Sequence, residues 1–170
     1  MVSIVRATQN DHSLLSSIAT LTFIESHGAS APPGDITNYV AKKYSNEILK
    51  EELSDPKNIY HILYNDSEAI GYSKIILNYP FDNLIQNITK LERIYLLKRF
   101  YHLKLGAALF QFNVDFIKAH AQMGMWLFVW KENERAINFY KRNGFVIIGS
   151  YDFPISETHS NPNHQMLLRF

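Results

Sequence analysis

The sequence predicts an α/β fold of the α+β kind: a mixed sheet of about six to seven strands covered by helices. Three observations carry that expectation. "MWLFVW" (125–130) contains no polar residue, as a strand buried on both faces requires. An amphipathic helical stretch precedes it and a second one follows it, giving strand–helix–strand units over 91–130 and 125–151. Upstream, two runs rich in β-branched and aromatic residues flank the polar turn Asn65-Asp66-Ser67, which reads as a hairpin.

Taken in order, residues 2–7 form a short strand, and Asp11 caps a helix with Leu14, Ile18 and Leu21 at helical spacing. "SHGASAPPGD" (26–35) is rich in breakers and is a loop. Asp35 is placed to cap a helix carrying Ile36, Tyr39 and Val40, and Ser45 to start another that runs to about Leu53. "IYHILY" (59–64) and "AIGYSKIIL" (69–77) are the hairpin strands, and "LERIYLL" (91–97) is the next strand. The helix after it shows Leu105, Leu109, Phe112 and Phe116 on one stripe with Ala108 beside them, and Gly124 marks its stop. "FVIIGSY" (145–151) and "HQMLLRF" (164–170) supply the last two strands. No repeat, low-complexity tract or linker interrupts 1–170, so one domain is expected.

Composition narrows the function classes. A net charge of +1 gives no footprint for nucleic acid or an anionic membrane. The absence of cysteine excludes disulfides, thiolate nucleophiles and cysteine-based metal sites. No apolar run approaches the roughly 20 residues that span a bilayer, and "MVSIVRATQNDHS" lacks the apolar core of a signal peptide. A cytoplasmic location is the expectation.

"NERAINFYKRNGF" (133–145) carries the functional signal. Asn133 suits a helix N-cap, Glu134 the positive end, Lys141 and Arg142 the negative end, and Gly144 a left-handed close. Asn133 and Tyr140 are two turns apart on one face, roughly 10 Å along the axis. On the segment alone two readings stand: an aromatic stripe of Phe139 and Tyr140 belonging to the core, or an asparagine and a phenol facing a ligand cleft.

Asn133, Ala136, Phe139, Tyr140, Gly144 and Phe145 match N-x-x-A-x-x-F-Y-x-x-x-G-F, the second half of the signature of the GNAT superfamily of N-acetyltransferases, and the chain resembles that superfamily over nearly its whole length. Within it, "LERIYLL" looks most like the polyamine and diamine acetyltransferases of bacteria. The first half of the signature, Q/R-x-x-G-x-G/A, falls on "YHLKLG" (101–106), where Gly106 remains, Tyr101 replaces the glutamine or arginine, and Lys104 the inner glycine. The resemblance implies a mostly antiparallel twisted sheet whose two central strands splay apart, with acetyl-CoA as cofactor in the gap and released as coenzyme A. It places Ile94, Tyr95 and Leu96 along the pantetheine arm, and Tyr101, His102, Leu103, Lys104, Leu105, Gly106 and Ala107 at the pyrophosphate. Backbone N–H groups at a helix start can hold that pyrophosphate without specific side chains. Asn133, Arg135 and Tyr140 flank the arm from the following helix.

Two residues are expected to do chemistry. Tyr140, with an ordinary pKa of about 10, is a proton donor to a departing thiolate. Glu92 lies where polyamine acetyltransferases carry a catalytic glutamate and is expected to bind the amine and draw off its proton through water; its alternative is a strand glutamate paired with a neighbouring cation. Glu25 and His27 are expected on the acceptor side. Lys98, Arg99, Lys104 and Arg135 are either phosphate contacts or solvated surface. His27, His159 and His164 lack the carboxylate or cysteine pattern of a metal site, so no metal is expected. The partner is then a small-molecule amine, attacked directly in a ternary complex, with no nucleic acid or membrane and with a homodimer open. Acetylation of a protein N-terminus or lysine, and an idle acyl-CoA-binding module, are the alternatives.

Overall fold

The computed structural model describes residues 1–82 and 84–170. The elements run β1 (Val2–Arg6), α1 (His12–His27), α2 (Pro33–Lys43), α3 (Asn46–Ser54), β2 (Asn58–Asn65), β3 (Glu68–Ile76), β4 (Thr89–Leu96), α4 (Leu105–Ala119), β5 (Gly124–Trp130), α5 (Glu134–Arg142), β6 (Val146–Pro154) and β7 (Ser160–Arg169), with short 3-10 turns at Gln9–Asp11 and Lys98–Leu103. The strands form one sheet in the order β1-β2-β3-β4-β5-β7-β6. Every neighbouring pair is antiparallel except β4 with β5.

Both faces of the sheet are covered. Tyr60 packs under α1–α3 with Leu15, Ile18, Phe23, Tyr39 and Leu49. Its strand neighbour Ile59 points the other way, into a second core with Phe110, Val114, Ile137 and Tyr140 from α4 and α5. Alternate residues of one strand thus feed two cores.

Several local expectations need correction. α1 buries Leu15, Ile18, Ala19, Thr22 and Phe23, while Leu14 and Leu21 are exposed. The helix is apolar on more than one side, so spacing alone did not fix its inward face. Asp11 turns back to accept from the Thr8 N–H at 2.7 Å and hydroxyl at 2.9 Å instead of capping α1. Asp35 lies within the first turn of α2, which Pro32 precedes as N-cap. Ser45 does cap α3, accepting from Ile48 N–H at 3.3 Å.

α4 turns a different face inward from the one its spacing predicted. It buries Leu109, Phe110, Asn113, Val114 and Ile117, whereas Phe112 and Phe116 are half-buried against the edge of His61. The buried asparagine disguised the stripe. Its amide donates to Ser73 Oγ at 2.9 Å and to Leu109 O at 2.8 Å, and its Oδ1 lies 3.1 Å from His61 Nδ1. Gly124 does not end α4 but opens β5, and a Cβ there would meet Leu168 O at 2.2 Å. The helix ends earlier, at Ala119, and Ala121 takes a left-handed φ of 56°.

Two stability predictions follow from this packing. Gly124→Ala forces β5 off β7 and should cost about 3 kcal/mol, at the upper end for overpacking, read from urea midpoints. A loss below 0.5 kcal/mol would show that the strands can separate there freely. Burial pushes His61 down to about 4, so it folds as the neutral ring. The unfolded chain then binds the extra proton between about pH 6.5 and 4, and stability should fall as pH drops through that window. His61→Gln should flatten the fall, and an unchanged slope would assign it to other groups.

Candidate active site

β4 and β5 are joined by two residue pairs only, Thr89↔Met125 and Lys90↔Trp126. Beyond them the strands diverge. On its other side β4 stays paired to β3, but the register jumps from Lys74↔Arg93 to Ile75↔Leu91. Glu92 is the extra residue of that bulge, and a bulge bends its strand. The bend carries Arg93–Leu96 away from Leu127–Trp130 and leaves their facing backbone groups without a ladder. A cleft of about 770 Å³ occupies the gap.

The wide end of this cleft is built by the segment between β4 and α4 and by the start of α5. The turn Lys98–Leu103 leads into Lys104, which adopts a left-handed φ of 57° before α4 begins. Lys104, Gly106 and Ala107 line the cleft there, with Tyr101, Asn133, Arg135 and Arg142. The Arg135 guanidinium lies 3.6 Å above the Tyr101 ring, which ties the turn to α5. A Cβ on Gly106 would meet nothing within 4 Å, so packing within the protein does not demand the glycine. Asn133 accepts from Ala136 N–H at 3.2 Å through Oδ1, which caps α5, and its amide nitrogen is left for the cleft. Gly144 closes the helix with φ +91°.

Tyr140 belongs to both readings of its helix. Its ring packs in the core beside Phe139 and Phe145, and it also lines the cleft. Burial raises its phenol above the usual value, only partly offset by Arg135.

On the opposite side Lys90, Glu92 and Arg93 line the cleft, and a charged row across three strands lies behind them. Tyr60 faces Lys74 in the register of β2 and β3, and Lys74 faces Arg93 in that of β3 and β4. Lys74, 4% exposed, pairs with Glu52 at 2.9 Å and with Glu92. Arg93 reaches Glu52 at 3.2 Å and the Tyr60 hydroxyl at 2.7 Å, and stacks on Tyr44. Lys90 touches Glu92 at 3.4 Å and sits among the rings of Tyr79, Trp126 and Phe128. Burial alone would raise the Glu92 carboxyl, but Lys74, Arg93 and Lys90 together bring it down to about 2.

Helices α1 and α2 and the residue after α2 cover the cleft with Phe23, His27, Tyr39 and Tyr44, and His27 lies beside Tyr95 and Trp130. His27 is stacked on Phe23, its Nδ1 is 2.7 Å from Ser26 Oγ, and burial lowers it to about 4. Asn161 and Asn163 of β7 complete the lining. Among the described residues, Asn163 Oδ1 is buried without a hydrogen-bond partner.

Of the residues singled out from sequence, His27, Glu92, Ile94, Tyr95, Leu96, Tyr101, Lys104, Gly106, Ala107, Asn133, Arg135 and Tyr140 line this one cleft. Glu25, His102, Leu103 and Leu105 do not. The Glu25 carboxylate accepts the Lys98 N–H at 2.8 Å, fastening α1 to the turn before α4. Leu105 packs on Leu96 and Leu109, and His102 and Leu103 are exposed. Arg99 pairs with Glu68 on the surface. His159 bonds the Ser30 carbonyl at 2.8 Å. Sequence reading missed Lys74 and Glu52, the ion pair behind the cleft, and Lys90 and Asn163, which line it. Lysine and arginine at inward strand positions were the available signal for the first of them.

Comparison with known proteins matches residues 23–145 to the acetyltransferase (GNAT) family. An uncharacterized N-acetyltransferase from the pepI 3' region of Lactobacillus delbrueckii subsp. lactis is 29% identical over 157 residues, 92% of this chain and 91% of the relative. A spermidine N(1)-acetyltransferase of Thermoplasma acidophilum is 28% identical over 116 residues, 66% of this chain and 68% of that one. The fold matches the crystal structure of the PaiA N-acetyltransferase of Thermoplasma acidophilum in complex with coenzyme A, with a TM-score of 0.81 at 21% identity over 100% of this chain and 99% of that one. It also matches the ribosomal-protein-S18-alanine N-acetyltransferase of Escherichia coli, with a TM-score of 0.73 at 16% identity over 99% and 94%. With its splayed central strands and a family match over most of its length, the chain belongs to the GNAT family and is an acetyl-CoA-dependent N-acetyltransferase.

Proposed function

We propose that the enzyme acetylates a small primary amine inside the cleft between β4 and β5, with Tyr140 as proton donor. The observation that carries this reading is the cover over the cleft, to which α1, α2 and the residue after α2 bring Phe23, His27, Tyr39 and Tyr44. A roof of that kind suits a small acceptor better than an extended peptide. By likeness to the spermidine N(1)-acetyltransferase relative, the amine would be a polyamine; by enclosure alone, any compact amine fits.

The residues present fit the cofactor. The edge of Ile94–Leu96 that faces β5 offers an extended arm a partner, and the open space beside Gly106 admits phosphate oxygens to the start of α4. Lys104, Arg135 and Arg142 supply positive charge at that end. Acetyl-CoA, when bound, supplies an acetyl group activated as a thioester.

The protein's own part is to hold and move protons. Burial keeps the Tyr140 phenol protonated through the physiological range, so its hydroxyl is a hydrogen-bond and proton donor within the cleft. Glu92 is suited to a different task. At about 2 its carboxylate is a weak base, held by Lys74 and Lys90, and it serves to neutralise them. The base expected of it loses its physical support, and the amine must surrender its proton to water or arrive neutral.

Two variants test this assignment. Tyr140→Phe should lower kcat by about 10²–10⁴-fold while coenzyme A affinity changes little. Unchanged turnover would leave Tyr140 a core aromatic, and parallel loss of cofactor binding would make it a positioning residue. Gly106→Ala should leave the free protein as stable or up to about 1 kcal/mol more stable, since alanine favours helix and meets no neighbour. The same variant should bind coenzyme A at least tenfold more weakly by calorimetry. Undiminished binding would remove the phosphates from the start of α4.

A further inference from the structure

We infer that the amine acceptor carries an anionic group, a carboxylate above all, and that this group is held at the Lys90 end of the cleft. The inference rests on the acetyl-transfer reading above and specifies its substrate class. Among the described residues, Glu92 is the sole carboxylate lining the cleft, while Lys43, Lys90 and Arg93 line its acceptor end. Glu92 is already shared between Lys74 and Lys90, and Glu52 behind it between Lys74, Arg93 and the Tyr60 hydroxyl. Three cations against two carboxylates leave the network with an excess positive charge before Lys43 is counted.

A polyamine needs the reverse. Each ammonium left after one amine reacts must be matched by a carboxylate or left to water, and no carboxylate here is uncommitted. The rings beside these charges already hold cations: Lys90 lies 5.2–5.8 Å from the centroids of Tyr79, Trp126 and Phe128, and Arg93 lies 4.9 Å from that of Tyr44. Lys90 meets one carboxylate, at 3.4 Å, so its ammonium has donors left for an incoming anion. Asn163 Oδ1 supplies the complementary feature for the other end of the substrate, a buried acceptor without a protein partner, suited to an amine N–H. One pocket thus offers an acceptor for N–H and a cation for a carboxylate, the two requirements of an amino acid.

The test varies the far end of the acceptor at constant amine chemistry. The full chain with acetyl-CoA is assayed on linear ω-amino acids, the matching ω-amino amides and the matching diamines, with three to eight carbons. These present an anion, a neutral group and a cation behind similar primary amines. At the best chain length, kcat/KM should fall from carboxylate to amide to diamine, at least tenfold between the extremes. In Lys90→Met, the preference for carboxylate over amide should shrink at least tenfold, through KM. A flat or reversed order, a diamine or amide better than every carboxylate, no carboxylate turnover, or equal loss on all acceptors in the variant would overturn the inference. Coenzyme A calorimetry on the same preparation separates the two readings. Intact binding with turnover of another amine leaves the acetyltransferase reading standing, and absent binding removes both.

Discussion

Two parallel strands joined at only two positions are a weak seam, and the organisation of this protein depends on how that seam is held open without separating. The bulge at Glu92 starts the divergence of β4 from β5. The ends are then fixed from outside the seam. β5 is paired along its whole length to β7, and β4 to β3. The cleft is therefore a gap between two well-made half-sheets, which lets it stay open at little cost to either.

The bulged residue is also a member of the buried ion network, and this couples shape to charge. Glu92 projects where Lys74 and Lys90 meet it, while its neighbour Arg93 reaches Glu52 on α3. Burying such charges costs several kcal/mol each, recovered only if every one is matched. Three cations share two carboxylates, so removing either glutamate would strand buried positive charge at a cost of about 3–5 kcal/mol. The network holds α3 against the sheet and fixes the bend of β4 at once. This is why a glutamate at the bulge need not be a base to be indispensable.

Much of this was legible from the chain because the signals were local. The hairpin turn at Asn65-Asp66-Ser67, the Ser45 cap and the 133–145 punctuation each depend on residues a few positions apart, and each formed as read. The inward faces of α1 and α4 were misread for a common reason. Both helices are apolar on more than one side, and α4 places a polar Asn113 in the core because Ser73 and His61, some 40 and 52 residues away, satisfy it. The charged row behind the cleft was illegible in the same way. Glu52 and Arg93 are 41 residues apart, and only the register of three strands shows that Tyr60, Lys74 and Arg93 form one row.

The two ends of the cleft differ in how their charge is held, and that difference divides the work between them. At the wide end Lys104 is exposed, and a left-handed backbone at a non-glycine residue costs roughly 1–2 kcal/mol. Loss of a glycine there is tolerable because the start of α4 still presents its backbone N–H groups, and the lysine adds a mobile cation beside them. Arg135 and Tyr101 restore rigidity by stacking. Such an end can accommodate phosphates with variable side-chain geometry. At the narrow end the cations are pinned by carboxylates and rings and cannot rearrange around a ligand of the wrong charge. On the acetyl-transfer reading proposed above, discrimination between acceptors would arise at the pinned end, where a mismatch in charge has no conformational escape.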